Sequence, residues 1–342
     1  MPSPIASKSK TSIKAALSAA ALATGLVLGA GAPALAADVN WDVSVPWGAS
    51  EFHTQNAEKF AEAVKEATDG AVEMTIHSGG ALGIRANESL RAVEDGAVPM
   101  AEYAAFQNVG ELPILGIESI PFLVDDYEEL RKMHEAVRPT WEAELEKRGQ
   151  KVLYVVPWPS QNFFTKEPVG DVAGLEGVRM RTYDKNTAEM VSRLGMVALQ
   201  MNNPDIVPAL ASGKLDAVMT SGSTAVAQKY WEFLNHVYNT NHLWASNIMA
   251  VNMDEWSGLT DEQRAAIEEV AARMEPEFWA VSEGEHEKRM EELTAQGMTV
   301  EAPSDAMVAA MKEATADMAD SYAEATPGAA EALEAYRAAT GR

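Results

Sequence analysis

The chain has 342 residues, with 51 acidic against 27 basic side chains, a formal net charge of −24 and 47% hydrophobic residues. That length exceeds one ordinary core and suits two lobes, and the apolar content excludes a disordered chain. The acidity argues against nucleic acid and anionic lipid as partners; the lack of cysteine excludes a disulfide framework, a thiol nucleophile and a Cys-ligated metal.

Lys8, Lys10 and Lys14 form a basic leader, Ala15 to Gly29 is an apolar run of small residues, and Ala34-Leu35-Ala36 has the A-x-A pattern of a secretory cleavage site. Residues 1–36 read as a signal peptide cleaved after Ala36, which predicts a periplasmic protein. The run is shorter than the ~20 residues a membrane span needs, so no stable membrane insertion is expected. Losing three lysines and no acid takes the net charge from −24 to −27. An anionic ligand therefore needs a local positive site working against the global field.

Val39 to Val45 alternates as a strand and breaks at Pro46-Trp47-Gly48. Ser50 or Thr54 is placed to cap a helix with Phe60, Val64 and Ala67 on one face, stopping at Asp69-Gly70. Ala71 to His77 alternates again, Gly79 to Gly83 is a loop, a helix spans roughly 86–95, and Val98 to Ala105 is a third strand. Strand and helix alternate, which predicts a parallel sheet covered by helices. Residues 126–148 form an acidic amphipathic helix closed by Gly149, and Lys151 to Val156 is a buried strand running into Pro157-Trp158-Pro159.

In the second series, Gly174 to Tyr183 reads as a strand leaving a Gly turn. Val178 and Met180 lie on one face, Arg179, Arg181 and Tyr183 on the other. Either guanidinium can present its planar fork to a carboxylate. Helices at 186–194 and 204–211 and a strand at 215–219 follow. Thr260-Asp261-Glu262-Gln263 has capping-box spacing and opens a run with apolar positions Ile267, Val270, Met274, Phe278 and Val281. Pro276 is expected to kink it. Some thirty helical residues reach ~45 Å, enough to lie across two lobes. Residues 304–340 read as Ala- and Glu-rich helix.

Hydrolase, metalloprotease, P-loop and dinucleotide signatures are absent. His134-Glu135 and His286-Glu287 lack a second His and read as solvated faces of charged helices. No ligand spacing predicts a metal, and no cofactor is expected. Polar and aromatic segments follow the predicted strands: Trp47 to His53, Ala104 to Asn108, Trp158 to Asn162, Arg181 to Tyr183, and Thr220 to Ser223. Ligands of α/β folds bind beyond the carboxyl ends of strands, so these segments frame a candidate site.

Gly177-Val-Arg-Met-Arg181, a helix closing at Leu194-Gly195, and Asp205-Ile-Val-Pro-Ala-Leu-Ala-Ser-Gly213-Lys-Leu-Asp216 resemble the solute-binding proteins of TRAP (tripartite ATP-independent periplasmic) transporters, of the DctP type. Gly79 to Gly83, Glu88 to Gly96 and Ile120-Pro-Phe-Leu123 fit the same family, and the likeness covers nearly the whole mature chain. The resemblance implies an α/β, two-lobe periplasmic solute-binding fold with hinge strands and a long helix spanning both lobes. Lobe I is expected over 37–158 plus about 246–285, lobe II over 159–245 plus about 286–342.

It also implies that Arg181 pairs with a ligand carboxylate, that Asn203 contacts ligand, and that Thr220 replaces an Asn that often does. A second Arg found in many acidic-sugar binders is Gln161 here, beside Asn162, which argues against a sialic-acid-like ligand. Asp205 replaces the usual Glu of the short helix. Trp158, Trp244 and Phe106 either make the cleft apolar, suiting a monocarboxylate with a keto or aromatic body, or pack the hinge. With His53 and Tyr183 these complete the expected site. The function implied is periplasmic capture of a small organic acid and its delivery to a TRAP membrane permease. The alternatives are a periplasmic hydrolase using Asp205 or Asp216, or the binding protein of an ATP-driven importer.

Overall fold

The computed structural model of the chain describes residues 38–341; the leader and its cleavage site lie outside the described residues. Strand β1 (Val39–Ser44) leads into helix α1 (Phe52–Ala67), then β2 (Val72–His77), α2 (Ser89–Glu94), β3 (Met100–Ala104), α3 (Tyr127–Lys147) and β4 (Gln150–Pro157). A second series follows: β5 (Asn162–Thr165), β6 (Arg179–Thr182), α4 (Lys185–Arg193), β7 (Val197–Gln200), α5 (Ile206–Ala211), β8 (Ala217–Thr220), α6 (Gly222–Ala227) and β9 (His236–Tyr238). The chain ends with β10 (Ser246–Asn252), α7 (Met253–Ser257), α8 (Asp261–Ala295), β11 (Thr299–Glu301), α9 (Asp305–Thr315), α10 (Met318–Ala325) and α11 (Ala329–Thr340).

Two sheets result, ordered β2-β1-β3-β10-β4 and β11-β9-β5-β8-β6-β7. The expected parallel sheet is corrected to a mixed one, and the second sheet is mixed as well. β10 runs antiparallel to both β3 and β4, and β5 antiparallel to β8 and β9. Both antiparallel strands are made as the chain crosses between sheets, after β4 and after β9, which reverses its direction. β10 is buried along its whole length, so it shows none of the alternation that marks a strand locally. The crossing segments are tied together: Trp158 N donates to Ala245 O at 2.7 Å and Gln161 N to Leu243 O at 3.0 Å.

Local signals account for most helix ends. Thr260 caps α8 with the capping box, Gln263 N donating to Thr260 Oγ1 at 3.2 Å and Thr260 N to Gln263 Oε1 at 2.9 Å. α8 runs 35 residues, unbroken at Pro276. It lies along both sheets: Trp279 Nε1 donates to Val155 O of β4 at 2.8 Å, while Met290 and Leu293 pack with Phe164, Val218 and Val237 of the second sheet. α11 lies against α3, where Tyr336 donates to Leu123 O at 2.9 Å.

Three local expectations fail. The N-cap of α1 is Glu51, with no side-chain capping bond, and Thr54 instead donates to Trp47 O at 3.2 Å. Ala67 is exposed, because the last turn of α1 leaves the core. His134 is no solvated residue: it is buried against Trp141 and Trp279, 2.9 Å from Glu118 Oε2 and 3.2 Å from Ser246 Oγ. Its face of α3 is charged on either side, but the imidazole itself points at the sheet. His286 is half-buried, and desolvation holds its pKa below the usual imidazole range.

Candidate functional site

β6 is short because it starts from Gly177, whose φ of +74° only glycine adopts without strain, and ends where Tyr183 leads to the cap of α4. It is flanked in parallel by β7 and β8, so Arg181 stands between Leu199 and Val218 near the carboxyl edge of the sheet. Arg179, two residues earlier, is half-exposed and committed: its Nε and Nη2 bind the two oxygens of Asp216 at 2.6 and 2.5 Å. Asp216 also accepts from Arg179 N at 3.1 Å, and these bonds hold its carboxyl below the usual range. The Asp is a clasp between β6 and the start of β8. Its oxygens are taken up by Arg179, which does not suit the general base of the alternative hydrolase.

Arg181 is 4% exposed. Its Nε donates to Met201 O at 3.2 Å and its Nη1 to Met219 O at 3.1 Å, and its guanidinium lies 5.1 Å from the Tyr183 ring centre. Among the described residues it has no ion-pair partner, in contrast to Arg179. Burial disfavours the charged guanidinium and lowers its pKa, though an arginine stays protonated regardless. The two carbonyls fix the side chain where it lines a cavity, and neither bond uses its Nη2.

That cavity is small, about 30 Å³ to the centres of water-sized spheres. It gathers seven of the expected residues: Arg181, Asn203, Trp158, Gln161, Thr220, Phe106 and Tyr183. Among the described residues Arg181 is the one charged side chain lining it. Gln161 donates to Pro159 O at 2.9 Å, and Asn203 accepts from Gln228. Trp158 is anchored by its Nε1 to Asn247 Oδ1 at 2.8 Å, and Asn247 donates to Glu102 at 3.1 Å.

Three expected residues do not line the cavity. His53 is fully buried behind it, its ring 4.2 Å from Trp158 and its Nδ1 2.8 Å from Glu102. Asn162 is spent on the crossing segments, donating to Ser160 O at 3.1 Å and accepting from Asn241 N at 3.2 Å. Trp244 points into the first lobe, donating to Val124 O at 3.0 Å and packing edge-on against Tyr127. Of the two roles open to the aromatics, Trp244 thus packs structure, while Trp158 and Phe106 form walls.

Sequence reasoning missed Trp47, Gln107, Ser221, Thr224 and Ala245. The first three lie within strand-end segments already singled out; Thr224 lies one turn into α6. Trp47 Nε1 and Gln107 Oε1 are a buried donor and acceptor without partners among the described residues, as is the Tyr183 hydroxyl. The cavity therefore offers a cation, a donor and an acceptor that the protein does not satisfy itself. Among the described residues, no cluster of three His, Asp or Glu could hold a metal, and no helix is long and apolar enough to cross a membrane.

The family of bacterial extracellular solute-binding proteins, family 7 (DctP), matches residues 43–325. The C4-dicarboxylate-binding periplasmic protein DctP of Rhodobacter capsulatus is 26% identical over 281 residues, 81% of this chain and 84% of that protein. The crystal structure of an extracytoplasmic solute receptor of Bordetella pertussis that binds pyroglutamic acid superposes with a TM-score of 0.85 at 29% identity, covering 87% of this chain and 99% of that one. A marine metagenome TRAP solute-binding protein specific for pyroglutamate gives 0.83 at 32%, covering 87% and 98%. A glucuronate-bound protein of Chromohalobacter salexigens, 20% identical with a TM-score of 0.81 and covering 87% and 99%, shares the two-lobe fold.

Proposed function

The chain belongs to the family-7 bacterial extracellular solute-binding proteins, the receptors of TRAP transporters, and we propose that it captures a small monocarboxylate of the pyroglutamate kind in the periplasm and delivers it to a TRAP permease. The observation that carries the reading is Arg181, a buried cation that has no counter-ion among the described residues and lines a small cavity. Such a charge costs several kcal/mol unless it is paired. A carboxylate matches its fork and compensates it.

The rest of the cavity supports one anionic group and one amide. Arg181 is its single charged wall residue, which favours a monocarboxylate over the dicarboxylate bound by the Rhodobacter relative. Trp47 Nε1 can donate to a lactam carbonyl, and Gln107 Oε1 can accept from a lactam N–H. The small volume suits a compact ligand, and receptors 26–32% identical bind pyroglutamate. Members of this family are binding proteins, not enzymes, which disposes of a hydrolase built on Asp205 or Asp216.

Capture works by closure. The lobes move about the crossing segments near Trp158 and Ser246, and ligand shifts the population toward the closed state because only there do both lobes touch it. Closure excludes water and strengthens the Arg181–carboxylate bond in a lower dielectric. The permease reads the closed shape and takes up the ligand with an ion gradient. Calorimetry against pyroglutamate, keto acids, aromatic acids, four-carbon dicarboxylates and sugar acids tests the reading. Pyroglutamate is expected to bind with a Kd of about 1 µM or tighter, near −8 kcal/mol. Binding of neutral sugars or cations alone overturns it.

A further inference from the structure

Phe106 and Tyr183 face two cavities at once. On one side they line the Arg181 cavity of about 30 Å³; on the other, together with Gln107, they line an open chamber of about 740 Å³. Their rings meet edge to face, with centroids 4.6 Å apart at 62°, and both are buried. Phe106 lies in the 3-10 turn that follows β3 of the first sheet, and Tyr183 follows β6 of the second. Each lobe therefore supplies one half of the wall between the cavities.

The Tyr183 ring is backed by the Arg181 guanidinium, and its carbonyl accepts from Gln200 Nε2 at 3.2 Å. Beyond the wall the chamber is polar, lined by Asn87, Glu111, Lys185, Gln200 and Asn202, and Asn202 donates to Asn87 at 3.3 Å across the lobes. On this side the inner cavity is thus bounded by two aromatic rings, with Gln107 beside them. An acid that extends past them holds the rings apart, and with them the lobes.

We propose that the Phe106–Tyr183 contact is the specificity-determining partition of the receptor, limiting it to acids short enough for the rings to meet. This rests on capture of a small carboxylate by Arg181. N-acylglycines probe it directly, because they share with pyroglutamate the order carboxylate, carbon, amide nitrogen, carbonyl while their acyl tails can be lengthened stepwise. Calorimetry would compare pyroglutamate with N-acetyl-, N-butanoyl- and N-hexanoylglycine on the full mature chain.

The wild type is expected to bind pyroglutamate and to lose at least about tenfold in affinity at each lengthening beyond acetyl. Phe106→Ala opens the cavity into the chamber, so N-butanoyl- and N-hexanoylglycine should gain at least about tenfold over wild type while pyroglutamate weakens. Phe106→Val should give an intermediate cutoff, which a variant that merely misfolds cannot do. The same cutoff in all three proteins, with pyroglutamate still bound, overturns the partition and leaves the proposed function standing. If the wild type binds none of the acids, the proposed function falls and the partition with it.

Discussion

Arg179 and Arg181 share a strand face and have opposite environments. Arg179 is half-exposed and doubly bonded to Asp216; Arg181 is buried and bonded to main-chain carbonyls alone among the described residues. Arg181→Ala is therefore expected to weaken ligand by ~2–5 kcal/mol, roughly thirtyfold to several-thousandfold, by calorimetry. Arg181→Lys should also bind poorly, since an ammonium cannot replace the fork. Arg179→Ala should leave affinity near wild type and lower the urea midpoint instead. Glu51 gives a second test at this scale. Burial pushes its pKa up to about 8, which the nearby Thr224 and Arg289 offset only in part and Glu285 reinforces. A carboxyl with a folded pKa above its unfolded value of 4.5 is protonated when folded and ionised when unfolded between those limits. Its stabilising contribution is full below pH 4.5 and is lost as pH rises toward about 8, at up to about 1.4 kcal/mol per unit. Glu51→Gln should flatten the fall in melting temperature across that window and be more stable than wild type at pH 8. An unchanged pH profile would count against it.

Among the elements, α8 was legible because its start signal is short-range. Thr260 and Gln263 satisfy each other's main-chain N–H three residues apart, and no tertiary contact is needed to read that. Thr260→Ala should cost about 1 kcal/mol, and Thr260→Ser much less, in urea unfolding. The cap of α1 was misread for the same reason: Ser50 and Thr54 are good cap residues locally, but Thr54 is taken by Trp47 O and Glu51 occupies the cap. The strands that sequence missed, β5, β7, β9, β10 and β11, are three or four residues long or buried on both faces. Periodicity has nothing to work on there, and pairing with neighbours makes the strand.

At the scale of the molecule, the cavity takes its walls from both lobes: Trp47, Phe106 and Gln107 come from segments after the first sheet's strands, Arg181, Asn203 and Thr220 from the second. In the proposed mechanism binding is coupled to closure, because a ligand held by one lobe alone makes only part of its contacts. Small-angle scattering should show the radius of gyration fall on saturation with pyroglutamate. Arg181→Ala at the same ligand concentration should show no fall. A radius that never changes with ligand would remove closure from the mechanism.

The sequence by itself determined the class of molecule: most helix boundaries set by caps and glycines, the arginine strand, and the family likeness. These are written in neighbours a few residues apart, where hydrogen-bond geometry and the 2- and 3.6-residue periods operate. Only the tertiary structure decided which arginine is free, because Asp216 lies 37 residues from Arg179 and reaches it only through the β6–β8 pairing. It likewise sent Trp244 into the first lobe, buried His134 against Glu118, and brought Trp47 and Gln107 to face Arg181. Those outcomes depend on where the chain crosses between sheets, and burial and charge pairing across that crossing are properties of the path, not of any short stretch along it.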